Sequence, residues 1–262
     1  MAMLVAAGAA ALLGGGASWV GAKGLDKIKE ASDRDQAESE EGAYIVFYHF
    51  ENGATGRAEP ILAMLEEAGA PYVTKPMSEL PDDGGYPCFA APVVQFPGGL
   101  RVAQTPALLC TLGRSLGLHP PMPRAADAAS VADFADAAHA LQCALNAADV
   151  LAEAVSASKA AERPAAFVKA GRLAKWLDQL ASCLAVGGGA YFIGGALSYV
   201  DFATLNALNI VEFCHGAPAA ALISARPGLA SWLAAMRARP AVCKIARAPV
   251  LPASMKAPEP IS

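Results

Sequence analysis

The 262-residue sequence predicts an α/β domain at residues 44–118 followed by an all-helical domain at residues 126–248. Strand-like and helix-like patterns alternate in the first segment. The second segment consists of long Ala-, Leu- and Val-rich stretches that are interrupted by short glycine or proline breaks. Apolar residues make up 55% of the chain and charged residues 17%, which excludes a disordered protein.

The α/β segment opens with a strand and a helix. Residues 44–48 are all aromatic or β-branched, which is typical of a strand. From Arg57 to Ala68 the apolar residues recur at helical spacing. A Gly-Ala-Pro turn then leads to a second short strand at Tyr72 and Val73.

A β-hairpin and a second helix complete this segment. Residues 92–96 and 100–102 flank a Pro-Gly-Gly turn, which is typical of a hairpin. In the Thr105-Pro106 pair, a hydroxyl that can cap a helix precedes a proline at the first helical position, which predicts a helix start. We expect this helix to end at Gly117, which gives the element order β-α-β-β-β-α.

The helical segment contains a clear start signal. Ser198 and Asp201 form an S-x-x-D sequence ahead of an apolar run, the pattern of a capping box. We interpret this box as a folding element. Breaks between helices are expected at residues 163–164, 187–189, 194–195, 216 and 226–227.

The first 22 residues carry no charged side chain, and a run of about 20 apolar residues can span a bilayer. Because no basic residues precede the run, we expect a helix retained in a membrane or membrane complex, with a cleaved or disordered leader as the alternative. Residues 23–43 are predicted to be a charged linker whose lysines favour a cytoplasm-like location for the main domains. Residues 249–262 form a Pro-rich tail.

Charge and cysteine spacing exclude several classes of protein. A net charge of −4 argues against nucleic-acid binding. The cysteines lie far apart without a C-x-x-C motif, so we expect buried thiols in a reducing compartment and no disulfide scaffold or zinc cage. Three histidines, His119, His139 and His215, show no ligand spacing and are interpreted as structural, so we expect no metal.

Four segments, in order, resemble motifs of the cytosolic-type glutathione transferases, closest to the tyrosine-type sigma class. They are GRAEPI at 56–61, APVV with GGLRVAQTPALL at 91–109, YFIGGALSYVDF at 191–202, and RPGLASWLAAMRARPAVCKIARA at 226–248. The resemblance covers roughly residues 44–248. It implies a thioredoxin-like N-terminal domain and an all-α C-terminal domain, the glutathione transferase fold.

The resemblance implies that Tyr48 is catalytic. Its phenol would donate a hydrogen bond to the glutathione sulfur and stabilise the thiolate, with electrostatic help from Arg57. The alternative for Tyr48 is an aromatic residue of the core. Tyr48 and Gly56 are eight positions apart, whereas about five are usual in the family, so His49, Asn52 and Thr55 are lower-ranked candidates for the same role.

The resemblance also implies a binding site for glutathione. Gln104 and Thr105 would hold the γ-glutamyl carboxylate at a helix N-terminus, where free amides attract anions. A cis peptide before Pro92 would let the Ala91 backbone pair with the cysteinyl part, with a trans turn as the alternative. Asp136 would reach the glutathione amine of a dimer partner, or simply lie on the helix surface. The usual segment for the glycyl carboxylate is missing, and Lys75 is the basic candidate nearby.

Two functions follow from these residues. The first is conjugation of glutathione, as co-substrate, to a hydrophobic electrophile between the two domains, by a homodimer. The second is a noncatalytic subunit of the same fold in a membrane protein complex, anchored through residues 1–22. We expect a membrane-associated protein on a reducing, cytoplasm-like face, with a cytoplasmic protein as the alternative.

Overall fold

The computed structural model describes residues 42–49, 54–82, 88–120, 129–159, 167–169 and 171–245. All of them belong to one unit that spans residues 42–262. The predicted apolar helix at residues 1–22, the linker up to residue 41 and the tail at 249–262 lie outside the described residues.

Four strands form one mixed sheet in the order β2-β1-β3-β4. Their bounds are β1 Tyr44–Tyr48, β2 Tyr72–Pro76, β3 Val93–Gln95 and β4 Arg101–Val102. β1 pairs with β2 in parallel, and the β1–β3 and β3–β4 pairs are antiparallel. β2 is longer than predicted, because the parallel ladder with β1 continues through polar residues as far as Pro76.

The strands alternate between two hydrophobic clusters. Tyr44, Val46 and Val94 belong to the large cluster that contains the helices. Ile45, Phe47 and Val93 point to the opposite face, into a small cluster of their own. The period of two in β1 and β3 therefore covers both faces of the sheet.

Two helices pack against the face of this sheet that carries the large hydrophobic cluster. A 3-10 turn at Gly56–Ala58 leads into α1, Glu59–Ala68, which is followed by Gly69 with φ 63°. The second helix is α2, Thr105–Leu116, followed as predicted by Gly117 with φ 71°. Left-handed glycines of this kind are common helix terminators because they have no Cβ.

The predicted capping role of the Thr105 hydroxyl is wrong. α2 begins one residue earlier than expected, so Gln104 is the N-cap residue, and no side chain makes a capping hydrogen bond. The Leu108 N–H donates to the Gln104 carbonyl at 2.9 Å, which closes the first turn on Gln104. Gln104 has φ 66°. Among the described residues it is the one residue other than glycine that has a positive φ.

The rest of the described chain is mostly helical, as predicted. The helices are α3 Ala129–Ser158, α4 Arg172–Val186, α5 Tyr199–Ser224, α6 Pro227–Arg237 and α7 Pro240–Ile245. α5 is the central helix, and every side chain from residue 199 to residue 208 is buried. It bends at Gly216, where φ is 60° and ψ is −143°. The sheet, α1 and α2 in the N-terminal part and these helices together form the glutathione transferase fold that the sequence predicted.

Within the described residues, α5 is the one helix long and apolar enough to cross a membrane. The core helices of folded domains share this length and composition. The burial of its N-terminal ten residues among neighbouring helices accounts for its apolar composition.

The predicted capping box at the start of α5 is confirmed. The Ser198 N–H donates to Asp201 Oδ2 at 2.9 Å, and the Phe192 N–H and Trp232 Nε1 donate to Oδ1 at 3.2 and 3.1 Å. Asp201 is fully buried, and burial raises the pKa of its carboxyl to about 6. One carboxylate therefore connects the start of α5 to the loop before it and to α6.

We predict that Asp201→Ala lowers the free energy of unfolding by about 3 kcal/mol, because it leaves buried N–H donors without partners. Urea denaturation measures this loss. The matched control is Ser182→Ala at the exposed α4 surface, where a single hydroxyl donates to the Asp178 carbonyl and the change should stay within about 0.5 kcal/mol. A loss below about 1 kcal/mol for Asp201→Ala would contradict the assigned role.

Candidate functional site

A cavity of about 290 Å³ lies where the starts of α1 and α2 face the helices α3 and α5. Its walls combine charged and polar groups with many small apolar side chains. The lining residues are Arg57, Pro60, Gln104, Thr105, Pro106, Leu109, Ala144, Leu145, Ala147, Ala148, Asp149, Leu151, Ala152, Ala203 and Asn206.

Three residues that the sequence singled out meet in this cavity: Arg57, Gln104 and Thr105. Arg57 and Gln104 are exposed and Thr105 is half-buried. The first N–H groups of α2 have no partners within the helix, and the helix dipole is positive at this end. Together with the Arg57 guanidinium, they make this end of the cavity favourable for an anion.

The positive φ of Gln104 lies in this wall. A non-glycine residue rarely adopts φ 66°, and such backbone conformations occur preferentially at functional sites. With this conformation, α2 begins at Thr105 and Gln104 lines the cavity.

The opposite wall is built by α3. Ala144, Ala148 and Ala152 recur at a spacing of four, which puts them on one face of the helix. Their short side chains leave the space that the cavity occupies. The same wall carries an exposed carboxylate, Asp149, which sequence reasoning missed although it stands between two of these alanines.

Tyr48 is not among the residues that line this cavity. It is half-buried at the end of β1 and packs against the large hydrophobic cluster. Burial raises the pKa of its phenol, so the hydroxyl stays protonated at neutral pH. A negative charge on the Tyr48 phenolate would also raise the pKa of Tyr72 on the neighbouring strand β2, because two negative charges repel each other.

The other predicted residues also lie apart from the cavity lining. The Ala91–Pro92 peptide bond is cis, as expected, and it directly precedes β3. Asp136 is exposed on α3. Its carboxylate lies near Gly194 in the loop before α5, because a Cβ atom added to Gly194 would be 4.0 Å from Asp136 Oδ2. Asn52 lies outside the described residues.

A buried carboxylate, Glu59, helps to fix the positions of two walls of the cavity. Glu59 is only 4% exposed, and its two oxygens accept hydrogen bonds from Asn206 Nδ2 at 2.6 Å and Asn209 Nδ2 at 2.9 Å. Asn206 Nδ2 also donates to the Gly56 carbonyl at 3.0 Å. Because Asn206 lines the cavity and Gly56 begins the turn that carries Arg57, this contact fixes two walls relative to each other.

The orientation of Asn209 is set from its other side. The Arg237 guanidinium donates to Asn209 Oδ1 at 2.7 and 3.0 Å, so the amide NH₂ is directed at Glu59. Burial raises the pKa of Glu59, while the two amides and the charge of Arg237 act in the opposite direction. The sequence signal for this network was the pair of asparagines, three residues apart, in a largely apolar helix.

Comparison with known protein families gives one match, in the helical half. Residues 146–244 match the family model of the glutathione S-transferase C-terminal domain. No curated protein matches the chain significantly by sequence.

Solved structures of glutathione transferases share the fold at low sequence identity. The enzyme from Ascaris lumbricoides is 19% identical, with a TM-score of 0.61, and the match covers 80% of this chain and 99% of that one. A family member from Pseudomonas fluorescens pf-5, solved with two glutathione bound, is 20% identical, with a TM-score of 0.59 and coverages of 80% and 95%. NaGST-2 is 19% identical, with a TM-score of 0.55 and coverages of 77% and 94%. The predicted fold is therefore confirmed.

We predict that Asn206→Asp is destabilising in a pH-dependent way. It puts a second carboxylate against Glu59, and two buried carboxylates raise each other's pKa. The folded protein then holds a shared proton that the unfolded chain releases near pH 4–5, so stability is retained at low pH and lost as the pH rises. The free energies of unfolding at pH 5 and pH 7, from denaturant titrations, should differ by roughly 2–3 kcal/mol more than in the wild type.

The matched control is the double variant Glu59→Gln with Asn206→Asp, which restores one donor and one acceptor. It should recover part of the stability and lose the added pH dependence. A loss in Asn206→Asp that is equal at both pH values would contradict the contact with Glu59.

Proposed function

We propose that this protein is a glutathione transferase that binds glutathione in the cavity and adds its sulfur to hydrophobic electrophiles. The observation that carries the proposal is the meeting of Arg57, Gln104 and Thr105 at the amino end of α2, facing the small-residue wall of α3. One side of the cavity suits an anion and the other suits an apolar compound, which are the two halves of such a reaction.

Glutathione is recognised through its charges in this proposal. Gln104, the Thr105 hydroxyl and the free amides of α2 hold the γ-glutamyl carboxylate, and Arg57 contributes positive charge. The ammonium of the same γ-glutamyl group needs a carboxylate as its partner. In a homodimer, Asp136 of one chain would serve the glutathione of the other, and Asp149 offers a carboxylate on the opposite wall of the same cavity.

The cysteinyl part of glutathione lies near the sheet in this arrangement. The backbone of Ala91, before Pro92 and β3, pairs with it as an added strand would. The thiol, with an ordinary pKa near 8.5, releases its proton to solvent. The sulfur lone pair then forms a C–S bond with the electrophilic carbon, and the leaving group departs with its bonding electrons.

Tyr48 is the proposed donor to the sulfur. A protonated phenol lowers the pKa of a thiol it contacts, because its hydrogen bond favours the thiolate. The Tyr48 hydroxyl is available as a donor at neutral pH, because burial raises its pKa and it stays protonated. The second group proposed to stabilise the thiolate is Arg57, which lines the cavity and acts through its positive charge.

The electrophile occupies the wall built by Ala148, Ala152 and Leu145. Leu145 is 46% exposed, and its apolar surface in the cavity lining suits contact with an apolar compound. Membrane attachment through residues 1–22 stays a prediction. All six cysteines are free, which is consistent with a reducing compartment.

The first test is calorimetric titration of the full chain with glutathione. We predict that Arg57→Ala and Gln104→Ala each weaken binding by about tenfold, the effect of losing one hydrogen bond to a charged group. Arg114→Ala, which removes an exposed arginine in the last turn of α2, is the control and should bind normally. Absence of binding at millimolar glutathione would reject the enzyme and favour the noncatalytic subunit.

The second test concerns the thiolate. We predict that Tyr48→Phe lowers kcat/KM in a conjugation assay by about 10- to 100-fold with little change in glutathione affinity. The acidic limb of its pH–rate profile should move to higher pH, because the bound thiol loses a stabilising donor. Tyr44→Phe, on the same face of β1, is the control. Unchanged activity in Tyr48→Phe, with activity lost in Arg57→Ala, would assign the thiolate to Arg57 alone.

A further inference from the structure

Three metal-ligating side chains converge in the helical part, and none of them lines the cavity. His139 and Cys143 are one turn apart on α3, and Cys183 faces them from α4. Their ligand atoms all lie within 4.8 Å of one another. Among the described residues, no other three His, Cys, Asp or Glu side chains converge in this way.

We propose that His139, Cys143 and Cys183 bind one Zn²⁺ ion. This proposal is independent of the glutathione site, and it departs from the sequence expectation that the protein holds no metal. Zinc takes Cys₂His sets of three protein ligands with a fourth position left for water or another ligand.

The separation of the two ligand atoms on α3 suits zinc. Zn–S and Zn–N bonds of about 2.3 and 2.05 Å at a tetrahedral angle put sulfur and nitrogen roughly 3.6 Å apart. The separation between Cys143 Sγ and His139 Nε2 is 3.6 Å. The spacing of four on α3 puts both ligands on one helix face, as in other helical zinc sites.

The charge of the donor set favours a divalent ion. Cys143 is fully buried and Cys183 is 4% exposed, and buried charge is costly unless it is compensated. Two thiolates and a neutral imidazole cancel the charge of Zn²⁺, whereas a monovalent ion such as Cu(I) would leave a net negative charge in the core.

The surroundings supply an outer shell and a route of access. Gln179 Nε2 donates to Cys183 Sγ at 3.6 Å, one turn away on α4. Hydrogen bonds of this kind orient metal ligands and tune their donor strength. His139 is only half-buried, so the edge of the cluster reaches the protein surface.

The test is a zinc titration of the full chain, reduced and metal-free, in competition with a chromophoric chelator and without glutathione. We expect one Zn²⁺ per chain, release of protons as the thiols ionise, and a higher Tm in zinc. Co²⁺ in place of zinc should give thiolate-to-metal charge-transfer absorption in the near ultraviolet.

Variants separate the site from adventitious binding. His139→Ala and Cys183→Ser should each weaken zinc binding by at least about 100-fold, beyond the effect of losing an outer-shell partner, and lose the gain in Tm. Cys214→Ser, which changes another buried cysteine, should bind zinc normally. His139→Ala changes a half-buried residue, so it keeps the test valid if Cys183→Ser does not fold.

Three results would overturn the proposal. They are zinc binding that is unchanged in both ligand variants, binding of Cu(I) without binding of Zn²⁺, and a Cys143–Cys183 disulfide in the isolated protein whose reduced form takes up no zinc.

Discussion

The cavity depends on one buried charge, the carboxylate of Glu59. Removing a carboxylate from water is costly, and only well-placed donors offset the cost. Here those donors are the amides of Asn206 and Asn209, on a helix that starts more than a hundred residues later in the chain. A slide of α1 along α5 would separate donor from acceptor, so the two helices have one favourable register, and the turn carrying Arg57 follows it.

α5 is held in place by a second buried carboxylate, Asp201. The capping box fixes where α5 begins, and the hydrogen bond from Trp232 fixes how α6 lies against it. Arg237, at the end of α6, then orients Asn209. The two carboxylates are therefore coupled through α6, and the polar contacts inside this apolar domain form one positioning system for the cavity.

The sequence predicted what local chemistry decides. The aromatic and β-branched run of β1, the hairpin turn after β3, the S-x-x-D box and the glycines after α1 and α2 all act within a few residues of chain. Each of them could be identified from the sequence alone. The predicted start of α2 was wrong by one residue, because the positive φ of Gln104 cannot be predicted from its side chain.

Contacts between distant helices could not be predicted in the same way. Glu59 and Asn206 are 147 positions apart, and Cys183 meets Cys143 only because α3 and α4 pack together. The surroundings of Tyr48 depend on neighbours on β2 as much as on the residues beside it in the chain. Periodicity identifies the buried face of each helix, but which polar residues meet across two faces depends on the packing itself.

The alanine wall of α3 has a consequence for how this protein can change over evolutionary time. Ala148 is half-buried and Ala152 is exposed, and both line the cavity without entering the networks of Glu59 or Asp201. Replacing either with a larger side chain would reshape the cavity while leaving the scaffold intact, because no buried polar partner is lost. Selectivity for small molecules can thus diverge between descendants by single substitutions, at little cost in folding.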